Sequence, residues 1–162
     1  MAMLVYAAMH IISRPGYELL IDQSIEKARY FAELIEQQAD FELVSHPELC
    51  LLTYRYLPEH IKHALEIANA DQRAELNGLL NEWTKFIQKR QRENGRSFVS
   101  RTRLTPAHWD RLHTIVFRVV LANPLTTCDI LQNILQEQRD IAQQAPKLTQ
   151  KIEALAQQIC AK

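Results

Sequence analysis

Residues 117–127 read FRVVLANPLTT, an apolar strand-forming run that holds one arginine, Arg118, and passes at once into Asn-Pro and two threonines. β-Branched and aromatic residues favour a pleated strand. Side chains along a strand alternate between its faces, so Thr114, Val116, Arg118, Val120 and Ala122 share one face and Ile115, Phe117, Val119 and Leu121 the other. The second face is wholly apolar and marks the core. Thr126 with Asp129 three residues on resembles a capping box with Asp in the usual Glu position, so a helix through Ile130, Ile134 and Ile141 starts directly after the strand. Arg118 has two readings. Its stem lies over an exposed face with its head in water, or its planar guanidinium grips a carboxylate or phosphate by parallel hydrogen bonds.

Working outward, Ser97–Thr102 reads as another strand, joined to His113–Ala122 by RLTPAHWD (103–110). Phe41–Val44 and Cys50–Tyr56 are short β-favouring runs separated by SHPE (45–48), which predicts a hairpin. In its second run Arg55 stands between Tyr54 and Tyr56, either near a site or facing solvent. Between the strand pairs, Pro58 opens a helix to about Ala70 and Asp71 reads as the cap of the next. In that helix Leu76, Leu79, Leu80, Trp83, Phe86 and Ile87 form one stripe, ended by Gly95. SRPG (13–16) signals a turn, and Tyr17–Gln38 a helix with Ile21, Ile25, Ala28, Ala32 and Ile35 on one face. Pro146 interrupts the last helical pattern, which resumes through Leu148, Ile152, Leu155 and Ile159. Strand pairs set apart by helices, without βαβ alternation, predict an α+β fold: a small antiparallel sheet of three to four strands packed against helices.

The 162 residues suit one domain. Lys plus Arg and Asp plus Glu each number 19, so no net field recruits nucleic acid or an anionic membrane. Three separated cysteines without a CxxC pair fit a reducing, cytoplasmic setting. The opening MAMLVYAAMHII is shorter than the ~20 residues that cross a bilayer and lacks the flanks of an export signal. A helix apolar on all sides has to be covered by protein, so a segment upstream is expected.

Three unclustered glycines (Gly16, Gly78, Gly95) leave no phosphate-cradling loop or dinucleotide fingerprint. His60, His63 and Glu66 share a helix face but lack a fourth ligand and the HExxH form, so no metal site is assigned. KRQRENGRSFVSRTR (89–103) is basic, but cations sit well at a helix C-terminus, so it reads as a solvated helix end and strand face.

FELVSHPELCLLTYRY (41–56), NGRSFVSRTRL (94–104) and FRVVLANPLTTCDI (117–130), in this order after RPGYELLIDQSIEKA (14–28), together resemble the C-terminal small domain of the pyridoxal-phosphate-dependent group II amino-acid decarboxylases. Within that fold-type I group they are most similar to glutamate decarboxylase and the bacterial glutamate/aspartate decarboxylase-like enzymes. The resemblance implies a connecting helix at residues 1–16, leading from a missing N-terminal large domain, and the small domain at 17–162. It implies a homodimeric carboxy-lyase acting on glutamate or aspartate, with Arg118 binding the substrate's α-carboxylate. The Schiff-base lysine of such enzymes follows a histidine, and no His-Lys pair occurs here. No catalytic or cofactor-binding residue is therefore expected in this chain, and alone it should be inactive. The alternative from another class is a free-standing α+β interaction module that binds a protein through its opening helix or sheet face.

Overall fold

The computed structural model describes residues 2–161. The chain runs α1 (Ala2–Glu36), β1 (Phe41–Glu48), β2 (Leu51–Tyr56), α2 (Glu59–Ile67), α3 (Ala70–Asn94), β3 (Ser100–Leu104), a 3-10 turn at Ala107–Trp109, β4 (Thr114–Val120), α4 (Cys128–Ala142) and α5 (Pro146–Cys160). The strands form one antiparallel sheet in the order β1-β2-β4-β3, so the α+β expectation holds.

Strand alternation sets the core. Phe117 and Val119 of β4, Leu52 and Tyr54 of β2 and Phe41 of β1 are buried with Ala28, Phe31 and Ile35 of α1 and with Leu80, Trp83 and Ile87 of α3. Phe31 meets Tyr54 edge-on at 5.4 Å and Tyr56 meets Trp83 at 5.0 Å, geometries that add about 0.5–1.5 kcal/mol each beyond area burial. Of the expected stripe on α1, Ala28, Ala32 and Ile35 are buried and Phe31 joins them, while Ile21 is half exposed.

Several boundaries differ from the sequence pattern, each for a local reason. SRPG breaks the helical run as its turn signal predicts, but as a kink and not an open turn: two helices meet at Ser13 (φ 62°, ψ 171°) within α1, and Pro15 falls just after the break, where its missing N–H costs little. β1 extends through SHPE, because β1 is an edge strand and Pro47 loses no partner there, while two register shifts absorb the irregularity. The cap of α3 is Asn69, not Asp71: Asn69 and Gln72 bond each other's backbone in a reciprocal box, and Asp71 sits in the first turn, where the helix end favours negative charge. Thr127, not Thr126, caps α4 by accepting from the Ile130 amide. β3 begins at Ser100, because Ser97 is taken up by Gln91 and Glu137.

No helix among the described residues is long and apolar enough to cross a membrane. The first part of α1 leaves Met3, Tyr6 and Ile11 largely exposed.

Candidate functional site

Arg118 lies on the non-core face of β4, two residues from Val116, which is fully buried, and Val120, which is half exposed. Its cross-strand neighbours are Thr53 on β2 and Ser100 on β3. The Ser100 hydroxyl donates to the Arg118 carbonyl at 2.6 Å, and Arg118 Nε donates to Ser100 Oγ at 3.4 Å. Thr53 is buried, and its hydroxyl is tied to that of Ser45 at 2.7 Å. Beside this polar row stands an apolar step, Leu51 paired with Val120. The guanidinium is exposed and, among the described residues, forms no ion pair with an internal acid. Both readings of Arg118 share this exposure, and its terminal nitrogens are free to receive an anion.

The turn after β4 fixes where this strand ends. Asn123 Oδ1 accepts from the Leu125 amide and the Asn123 carbonyl from Thr126, a side-chain-stabilised turn that Pro124 rigidifies. Lys27, on α1, donates to the carbonyls of both Asn123 (2.8 Å) and Pro124 (3.1 Å). Sequence reading missed this lysine. Its partners are backbone carbonyls 96 and 97 residues away, which leave no sequence signal.

Arg55 is neither solvent-facing nor part of an open site. It is 1% exposed, and its Nε donates to Glu42 Oε2 at 2.6 Å. Trp109 Nε1 donates to Glu42 Oε1 at 3.0 Å, and the Trp109 ring lies 5.2 Å from the Arg55 guanidinium carbon. Burial pulls the Arg55 pKa down, and the Glu42 charge opposes that pull. The connection from β3 to β4 thus folds over one end of the non-core face, closing it above Arg55 and leaving it open at Arg118.

A cleft of about 1090 Å³ is lined by the end of α1, β1 and α2 and contains His60 and His63 but not Arg118. His60 Nε2 sits 2.9 Å from Glu153 Oε2, and no group of three or more metal-capable side chains occurs among the described residues. In the basic segment, Lys89 and Arg90 both reach Glu93 on their own helix. Pyridoxal phosphate does not fit these residues. No lysine among the described residues is buried, there is no glycine-rich cradle, and the titratable cluster around Arg55 is already internally paired.

No protein-family model matches the chain. It is 66% identical over 142 residues to an aspartate 1-decarboxylase of Aliivibrio fischeri, covering 88% of this chain and 26% of that protein, so the chain spans about a quarter of the relative's length. Among solved structures it is similar to mouse CSAD (TM-score 0.69, 22% identity, 85% of this chain and 27% of that one). It is also similar to the glutamate decarboxylase domain of a diaminobutyrate-pyruvate transaminase and L-2,4-diaminobutyrate decarboxylase from Vibrio parahaemolyticus (TM-score 0.64, 16% identity, 86% and 25%). A third is Oryza sativa TDC with PLP and tryptamine (TM-score 0.64, 14% identity, 86% and 26%).

The aspartate 1-decarboxylase overturns the functional expectation drawn from the sequence. That expectation was an inert C-terminal piece of a pyridoxal-phosphate-dependent carboxy-lyase acting on glutamate or aspartate, with a free-standing interaction module as the alternative. Two-thirds identity to a named aspartate decarboxylase outweighs motifs that decarboxylases with different substrates share, and it gives no support to inactivity or to a non-enzymatic module. The physical reason is that Arg118, Asn123 and Pro124 specify a strand and its exit, which carry no information about a substrate side chain. At the level of fold the resemblance stands: the chain has the fold of the C-terminal small domain of the pyridoxal-phosphate-dependent group II amino-acid decarboxylases.

Proposed function

We propose that this chain serves a carboxy-lyase that acts on aspartate, and that Arg118 is the residue that takes the substrate's α-carboxylate. The observation that carries the reading is the 66% identity to an aspartate 1-decarboxylase. Loss of the carboxylate on the amino-bearing carbon, with a proton taken up there, converts aspartate to 3-aminopropanoate and carbon dioxide. An exposed guanidinium without an internal acid, on a strand pinned at its end by Lys27, suits the task of holding that carboxylate. The leaving group sheds its charge as carbon dioxide forms, so a very strong grip would favour the ground state over the transition state. Arg118 therefore contributes orientation more than electrostatic acceleration. The kink at Ser13 supports treating residues 1–16 as a segment apart from the domain at 17–162.

The test is carbon dioxide and 3-aminopropanoate release by the natural protein that carries this chain, with aspartate, glutamate, 2,4-diaminobutyrate and tryptophan compared at equal concentration. Aspartate should be turned over fastest, and Arg118→Lys, which keeps charge but loses the planar fork, should lose most of the rate. Faster turnover of glutamate, or full activity in Arg118→Lys, refutes the reading.

A further inference from the structure

We infer that Ser100 is a positioning residue for Arg118, one that settles which edge of the guanidinium meets a carboxylate. The inference rests on the reading of Arg118 as a carboxylate grip and deepens it.

A guanidinium binds a carboxylate in two planar ways, end-on through its two terminal nitrogens or side-on through Nε and one terminal nitrogen. The two modes place the bound carboxylate on different sides of the arginine head. Ser100 stands directly opposite Arg118 in the β3–β4 ladder. Its one hydroxyl proton is given to the Arg118 carbonyl at 2.6 Å, so toward the side chain the oxygen presents only lone pairs. Arg118 Nε–H meets those lone pairs at 3.4 Å. On the other flank, the Thr53 hydroxyl is already engaged with Ser45 at 2.7 Å and buried. Nε is thus held toward β3 by a group whose own geometry is fixed by the strand, and the two terminal nitrogens, which make no hydrogen bond among the described residues, are left as the free edge. End-on capture is favoured, and side-on capture requires the Ser100 contact to break.

Hydroxyl identity matters at this place. Alanine removes the acceptor and frees Nε, threonine keeps it, and an acid would neutralise the grip. The contact is long, so its effect is modest: it sets the pose in which the carboxylate is bound, and losing it weakens binding without touching the reacting atoms.

The experiment uses the natural protein carrying this chain, with kcat and KM for aspartate and the inhibition constant of succinate, an unreactive dicarboxylate. Ser100→Ala should raise KM and the succinate constant about three- to tenfold with kcat within about twofold, the scale of one ordinary hydrogen bond. Ser100→Thr should restore both. In an Arg118→Lys background, which has no Nε–H, Ser100→Ala should add nothing. A purely structural serine would show the same loss in either background, and that result overturns the proposal. So does Ser100→Ala with wild-type KM while Arg118→Gln is impaired, an outcome that leaves the Arg118 reading intact. Should Arg118→Gln bind aspartate and succinate as the unaltered protein does, the reading of Arg118 itself fails and Ser100 falls with it.

Discussion

Arg55 Nε and Glu42 Oε2 lie 2.6 Å apart, with side-chain exposures of 1% and 8%. Two charges this enclosed have given up their hydration, so removing one partner leaves the other buried without compensation. Arg55→Met or Glu42→Gln alone should lower stability by about 3–5 kcal/mol, and the double apolar replacement should recover most of that loss. Urea unfolding midpoints report it. Unchanged midpoints in both single variants would show that the pair carries no weight.

Arg73 closes α2 from outside its own helix. Its guanidinium donates to the carbonyls of Leu65 (2.9 Å), Glu66 (3.2 Å) and Ala68 (2.9 Å) and also pairs with Asp110 in the connection before β4. The last carbonyls of a helix have no partner within it. Arg73→Ala should cost about 1–3 kcal/mol by orphaning them. Asp110→Asn, which removes only a partner that is 61% exposed, should cost less than about 1 kcal/mol. Thermal melts rank the two, and a larger loss from Asp110→Asn would contradict the assignment.

Tyr54 buries its hydroxyl without a hydrogen-bond partner, and burial, only partly opposed by Gln138, raises its pKa well above the ordinary value of 10.0. A phenol whose folded pKa is raised contributes stability that is complete below the unfolded value and is lost as pH climbs through the folded one. Stability should therefore fall as pH rises above about 10, and Tyr54→Phe should flatten this alkaline limb relative to the parent. Equal slopes in the two proteins would rule out Tyr54 as the source.

Ser13 holds φ 62° in the kink of α1, a backbone state that costs a non-glycine residue about 1–3 kcal/mol. Ser13→Gly should be neutral to stabilising by about 1 kcal/mol. Gly16→Ala should destabilise, since an added Cβ would approach Ile12 Cγ2 to 2.8 Å. Relief of that loss by Ile12→Ala would identify the clash, and persistence of the loss would refute it.

Much of the fold was legible because alternation and helical spacing are direct consequences of backbone geometry. Phe117, Val119 and Leu121 are core and Arg118 is not, as the pattern of β4 predicts. The hairpin before α2 followed from its two β-favouring runs, although its turn lies at Leu49–Cys50 and not in SHPE, and the helix ended by Gly95 (φ 68°) followed from cap chemistry. What stayed hidden depends on distant segments meeting. Alternation puts Arg55 on a face, but nothing local says that Trp109, from a stretch that reads as a connection, folds over it. Ser100 reads as one polar strand residue among several until the register sets it opposite Arg118. The sequence pointed to Asp71 as the cap of α3, and that Asn69 caps it instead depends on which side chain reaches the third amide of the helix, a distance question that composition leaves open.

The irregular course of β1 bears on how the molecule behaves in company. This edge strand holds Pro47 and is bent by two register shifts in its pairing with β2, and the opposite edge strand bears the exposed Arg101 and Arg103. Neither border offers the long, regular row of free amides and carbonyls that recruits another molecule's strand. Crowded copies of this chain thus lack a template for fibrous aggregation through their sheets.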